Sequence, residues 1–242
     1  MATNIAGGVC IGELQACILR AARLDAACNI IGGVNGGIVT AGLVTLTADP
    51  DVEEGTLYEQ KNACGDILFS YEKDPKIKRM NLSGELGFSD FEMMALLFGG
   101  SLVLGRAAGL YAGKVIGYAD PLYTAAPRNG IYLEVITTTI SQGSGSCITP
   151  GSTSAVPAAM GHIFGKVKLH PGQSLFDDNV KRIAFSGKGV NNPNLYNGPW
   201  NDYPGAGYAP NSPHITVGYS QVEYDAIAAQ VTCGYRDLPT GS

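Results

Sequence analysis

The stretch from Lys76 to Gly100, KIKRMNLSGELGFSDFEMMALLFGG, constrains this chain more than any other. Met80, Leu82, Gly84, Leu86 and Phe88 alternate with Asn81, Ser83, Glu85 and Gly87. That two-residue period predicts a strand with one buried face. The period then changes. Ser89-Asp90-Phe91-Glu92 fits a capping box, in which the serine hydroxyl takes one unpaired N–H and the glutamate reaches back to another. Asp90 and Glu92 add negative charge at the positive end of the helix dipole. Good helix formers follow to Phe98, and Gly99-Gly100 supplies a left-handed stop. The predicted helix, about Ser89 to Phe98, is apolar on nearly every side. Such a helix needs two dry partners, so Phe91, Met94, Leu97 and Phe98 are expected to meet a second subunit.

The rest of the chain has the same β character. Ala41–Ala48, Asp66–Tyr71, Ile131–Ile140, His162–His170 and Val180–Ser186 read as strands from their alternation or β-branched density. Pro171-Gly172 reads as the turn between the last two. Cys17–Leu24 has helix-forming propensity, and the Asn- and Gly-rich residues after it suggest a strand leading into turns. Residues 101–117 and 223–237 fit no single element. The expected fold is mainly β, a sandwich or partial barrel with one flanking helix. Residues 1–16 form an N-terminal arm, and 17–242 form a single domain with long loops at 141–157 and 191–213.

Charged residues are 15% of the chain, well under the usual quarter, and glycine is abundant at 33 residues. A covered surface fits that balance. The formal charge of −5 opposes general nucleic-acid binding, which needs a surplus of cations for phosphates. The six cysteines are scattered without a C-x-x-C pair, so they are expected to be reduced core thiols in a cytosolic product. No basic stretch precedes an apolar one at the N-terminus, and 101–118 is too interrupted by glycine and charge for a membrane span.

Two charge runs stand out. Asp49, Asp51, Glu53 and Glu54 form an acidic run read as a solvated hairpin tip, and it lacks the spacing of a calcium loop. Lys73, Lys76, Lys78 and Arg79 precede the organising strand. His162 and His170 share a strand at a spacing too wide for one metal. Asp177-Asp178 reads as turn chemistry, and no nucleophile elbow, zinc helix or phosphate loop occurs. No catalytic site, metal or cofactor is expected. Trp200 with Tyr196, Tyr203 and Tyr208 fits either a packed loop at a protein interface or a sugar-stacking platform.

Taken in order, several motifs resemble the major tail proteins of long-tailed, non-contractile phages of actinobacteria. They are C-x-L-R-x-x-R-L-D-A-A-C at Cys17–Cys28, the Thr40–Glu54 strand ending V-E-E-G, K-N-A-C-G at Lys61–Gly65 and S-D-F-E-M-M-A-L-L-F-G-G. K-V-K-L-H-P-G, R-I-A-F-S-G-K-G-V-N-N-P and N-G-P-W follow later in the chain. The family usually carries Asp-Pro-Glu-Leu where this chain has Asp90-Phe91-Glu92-Met93. The resemblance implies a virion protein assembled in the host cytoplasm, whose sheets join into a shared barrel in a hexameric ring. Rings would stack into a tail tube that conducts DNA without specific binding, with tape-measure and tail terminator or tip proteins as partners.

On that expectation Thr45, Thr47, Ser83 and Glu85 face the lumen. The acidic run Asp49, Asp51, Glu53, Glu54 would meet the basic run Lys73, Lys76, Lys78, Arg79 across rings. The alternatives are a capsid decoration or head–tail joining protein, or a carbohydrate-binding sandwich.

Overall fold

The computed structural model describes residues 11–87, 90–121, 129–141, 157–175, 182–194, 198–200 and 212–239. The first strands are β1 (Ile11–Arg23), β2 (Gly33–Thr40), β3 (Leu43–Glu53), β4 (Leu57–Lys61), β5 (Ile67–Glu72) and β6 (Lys76–Leu86). Helix α1 (Phe91–Phe98) follows, then β7 (Ser101–Leu104), β8 (Val115–Ala119), β9 (Ile131–Ser141), β10 (Ala159–Leu175) and β11 (Arg182–Val190). β12 (Ile215–Tyr219), α2 (Gln221–Ala228) and β13 (Arg236–Leu238) complete the described chain. The protein is mainly β, as its alternation predicts.

The large sheet runs β13-β2-β1-β9-β10-β11-β6-β3, with β12 also on β10. β10 explains how one hydrogen-bonded path makes two layers. Its first half, Ala159 to Phe164, lies between β9 and β12. An irregularity between Phe164 and Val167 follows, and the second half pairs with β11. A bulge of this kind bends a strand. Leu19, Ile38, Leu133 and Val135 of the first layer share a core with Leu82, Leu86, Ile183 and Phe185 of the second. The layers do not close into a barrel in the single chain. The outer face of the first layer is covered by α2 and Trp200, over Ile18, Val39, Ile136 and Tyr219.

Several expectations change. β1 begins at Ile11 and pairs there with Ser141 of β9, so residues 11–16 belong to the sheet rather than to an arm. Cys17–Leu24 is strand in spite of its helical propensity, because pairing on both sides outweighs a weak local preference. Pro171-Gly172 does not turn the chain; β10 runs on to Leu175 through a shift in pairing. Residues 101–117 fall within and around the β7–β8 hairpin, and the unassigned C-terminal segment holds α2 and β13. The proposed turn at Asp177-Asp178 lies outside the described residues, as do 142–156 and 201–211.

α1 forms where predicted, but its cap and its partners differ. Asp90 is the N-cap, with Oδ1 accepting from the Glu92 and Met93 N–H groups at 3.0 and 3.2 Å. Its other oxygen accepts from Gly234 N–H at 2.6 Å, and Glu92 accepts from Tyr235 N–H at 2.6 Å. Glu92 therefore ties down the C-terminal segment; the capping box expected with Ser89 rests on a residue outside the described ones. Gly99 ends the helix at φ 79°, as a left-handed stop requires.

Leu97 and Phe98 are 0% and 2% exposed within their own chain, so neither is available to a second subunit. Met94 packs partly buried against the same core, and of the four only Phe91 is exposed. The second dry partner of α1 is this chain's own sheet and C-terminal segment. Replacing Asp90 with Ala removes both a cap and the Gly234 tie, with an expected loss of about 1–2 kcal/mol in urea unfolding. Asp90→Asn is expected to keep most of it.

Candidate assembly surface

β3 and β6 do not end where the body of the sandwich ends. The chain leaves β3, crosses Gly55, forms the β4–β5 hairpin with its turn at 62–66, and returns along β6. A Cβ on Gly55 would lie 1.7 Å from the Lys73 carbonyl oxygen, so the two strands cross too closely there for any side chain. Beyond the crossing every residue of β4 and β5 is exposed. Tyr58 pairs with Tyr71 and Gln60 with Phe69, and pairs in register share a face. The Tyr58 and Tyr71 rings stack at 6.4 Å. Ile67, Phe69, Tyr58 and Tyr71 thus make one apolar face, each between 54% and 57% exposed. The opposite face carries Glu59, Lys61, Ser70 and Glu72 beside Leu57 and Leu68. A two-stranded ribbon is marginal by itself in water, and one greasy side in solvent makes it a surface for a partner.

The charge runs lie at the root of this arm. The acidic run is the end of β3, not a hairpin tip, and β3 pairs antiparallel with β6. Asp51 therefore faces Arg79, with Oδ2 to Nε at 2.5 Å, and Glu53 lies opposite Lys76 and 3.8 Å from the Lys78 ammonium. Two of the pairs open to these runs are thus made inside one chain. Asp49, Glu54, Lys73 and Lys76 are exposed without such an ion pair among the described residues. β3 is also an edge of its layer, with Pro50 and alternating carboxylates along it. Proline and charge are devices that discourage strand addition at an edge.

Register brings the four lumen candidates together. Thr45 lies opposite Glu85, and Thr47 opposite Ser83. Glu85 is held at 3.3 Å by Arg182. The same face runs on across β11 and β10, through Ser186 and Lys188 to His170 and Lys168. Those lysines are a feature that the sequence reading of a phosphate-indifferent face did not foresee.

On the other side of the molecule a charged pair is fully enclosed. Arg20 on β1 and Glu134 on β9 are register partners and both 0% exposed. Arg20 Nε and Nη2 donate to Glu134 Oε2 at 2.9 and 2.6 Å, and Tyr132 donates to the same oxygen at 2.8 Å. Tyr219 donates to Oε1 at 2.6 Å and accepts from Arg20 at 3.1 Å. Trp200 lies over the guanidinium, 4.5 Å from ring centre to Cζ, and against Tyr132. The indole is partly buried and packs one face on the guanidinium, as a packed loop would; Tyr196, Tyr203 and Tyr208, the rest of the aromatic group, lie outside the described residues. Gly161 makes room for the pair, since a Cβ there would fall 2.6 Å from Glu134 Oε1.

A second polar cluster spans β1, β9, β10 and the approach to β12. His162 Nε2 meets Glu13 Oε2 at 2.5 Å, its Nδ1 lies 3.3 Å from His214 Nε2, and Thr137 donates to Glu13 at 2.8 Å. Burial alone would raise the Glu13 carboxyl, but hydrogen bonds from His162 and Thr137 and the histidine charges hold it below its usual range. Burial pushes His214 down, His162 adds to that, and Glu13 opposes it. Both shifts act in the same direction. A depressed group contributes stability above its unfolded pKa that is lost as pH falls through its folded one. Stability is therefore expected to drop below about pH 6.5, first through His214 and then through Glu13. His214→Phe should flatten the upper part of that drop when urea midpoints are measured from pH 7 to 4. The pairing of β10 with β12 creates this cluster, and no spacing in the sequence reveals it.

Among the described residues, no group of three or more His, Cys, Asp or Glu could hold a metal ion. Cys17, Cys28, Cys64 and Cys233 are free thiols. No helix among them is long and apolar enough to cross a membrane. Compared with known protein families and with curated proteins, the chain matches none.

Proposed function

We propose that this protein is a structural subunit that polymerises with copies of itself into a tube, as the tail tube of a long-tailed, non-contractile phage. The observation that carries this reading is the β4–β5 arm. It extends past the sandwich with an aromatic face that its own chain leaves uncovered. A second exposed hairpin, β7–β8, offers Val103, Leu104, Leu110 and Ile116. In this reading the arms join ring to ring, and the polar face bearing Thr45, Thr47, Ser83 and Glu85 lines the lumen through which DNA passes. The hexameric ring, the virion location, and the tape-measure, terminator and tip partners come from the family resemblance alone. Asp51–Arg79 and Glu53–Lys78 pair within the chain, so Asp49, Glu54, Lys73 and Lys76 are the members of the two runs left for a ring-to-ring contact.

Negative-stain imaging of the concentrated protein tests this. Regular tubes of constant diameter are expected. A folded monomer at every concentration overturns the proposal, and isolated closed rings would favour a capsid decoration or head–tail joining role instead.

A further inference from the structure

Along β10, Lys166, Lys168 and His170 occupy every second position on the outer face of the second layer. β11 places Lys188 directly opposite Lys168 and Ser186 opposite His170, and β6 adds Asn81 opposite Lys188. These six side chains line an open cavity of about 720 Å³. No carboxylate is among its lining residues. Among the described residues no acidic group pairs with Lys166, Lys168 or Lys188; the Lys166 ammonium lies 3.0 Å from the Cys28 sulfur.

Such a cluster runs against local energetics and against the composition. Like charges directly opposite on neighbouring strands destabilise a sheet, and the chain as a whole is acidic at −5. Residues on one strand face recur about every 7 Å, and facing pairs sit about 5 Å apart. Lys168 and Lys188 are thereby side by side, with Lys166 next along the same strand face and able to swing from Cys28 toward an anion between them. A carboxylate would neutralise only one of them. A phosphate group carries more charge and more acceptor oxygens, and lysine suits it as a compact point charge.

We infer that this cavity binds a phosphate group, ester or polyphosphate, through the ammonium groups of Lys166, Lys168 and Lys188, with His170, Ser186 and Asn81 as flanking polar contacts. The inference goes beyond the tube reading and does not rest on it, because every lining group belongs to one chain.

The test is thermal unfolding of the full chain in sodium tripolyphosphate against sodium chloride of equal ionic strength, paired with anisotropy of a labelled short duplex DNA. Tripolyphosphate is expected to raise the midpoint at millimolar concentration. Lys168→Gln with Lys188→Gln should weaken the apparent affinity about tenfold or more, and Lys188→Arg should keep it. Because the two lysines repel each other, the Gln pair should unfold no earlier than the parent when no phosphate is present.

If duplex DNA also binds, with a salt slope that falls by about one per lysine removed, the site takes a phosphodiester backbone. If only tripolyphosphate binds, it takes a small free anion. No midpoint rise, or an equal rise in the Gln pair, overturns the site. Neither result bears on whether tubes form.

Discussion

Glu134→Leu is expected to cost about 3–5 kcal/mol in urea unfolding, because it leaves the Arg20 guanidinium charged, enclosed and without its main acceptor. Glu134 receives four hydrogen bonds, two from Arg20 and one each from Tyr132 and Tyr219. Water cannot take over for it, since both members of the pair are 0% exposed. The double variant Arg20→Met with Glu134→Leu is expected to recover most of the loss. Enclosed ion pairs owe their worth to each other, and a well-packed apolar pair of similar volume is often as stable. A single-variant loss under about 1 kcal/mol would mean that the pair is less enclosed than described.

The second large effect is on assembly. Phe69→Ser with Tyr71→Ser removes the centre of the arm's apolar face and is expected to abolish tubes in negative stain. Each ring that moves from solvent to a dry contact contributes about 1.5–3 kcal/mol. A tube repeats that loss at every subunit, so a modest change per contact becomes all-or-none for the polymer. The chain itself should fold as before, because both residues are more than half exposed. Unchanged urea midpoint with absent tubes is the expected pair of results. Tubes of normal length in this variant would remove the arm from the contact.

Much of the fold was legible in the sequence, and the reasons are local. β6 and α1 announce themselves because their period switches from two to helical within a few residues, and β9 through its β-branched density. What the sequence could not convey was pairing. The acidic and basic runs look like a matched set, but only the β3–β6 register places two of their pairs inside one chain. The same blindness placed Leu97 and Phe98 at an interface. An all-apolar helix calls for a second dry partner, and periodicity cannot say that this chain's own C-terminal segment helps to provide it. Arg20 and Glu134 are 114 residues apart, and nothing in either neighbourhood marks a charge for burial. The arm was half visible: Asp66–Tyr71 reads as a strand, whereas Leu57–Lys61 hides behind its polar residues until its partner is known.

β10 carries a consequence for how this body behaves under load. Its seventeen residues carry ladder pairing into both layers, to β9 and β12 in one and to β11 in the other. Tension applied at the arm passes down β3, which continues through residues 41–42 into β2 of the first layer, and down β6 to β11 and on to β10. Chain and ladder thus couple the layers at two places, so a pull on the arm loads both of them together instead of sliding one leaf past the other.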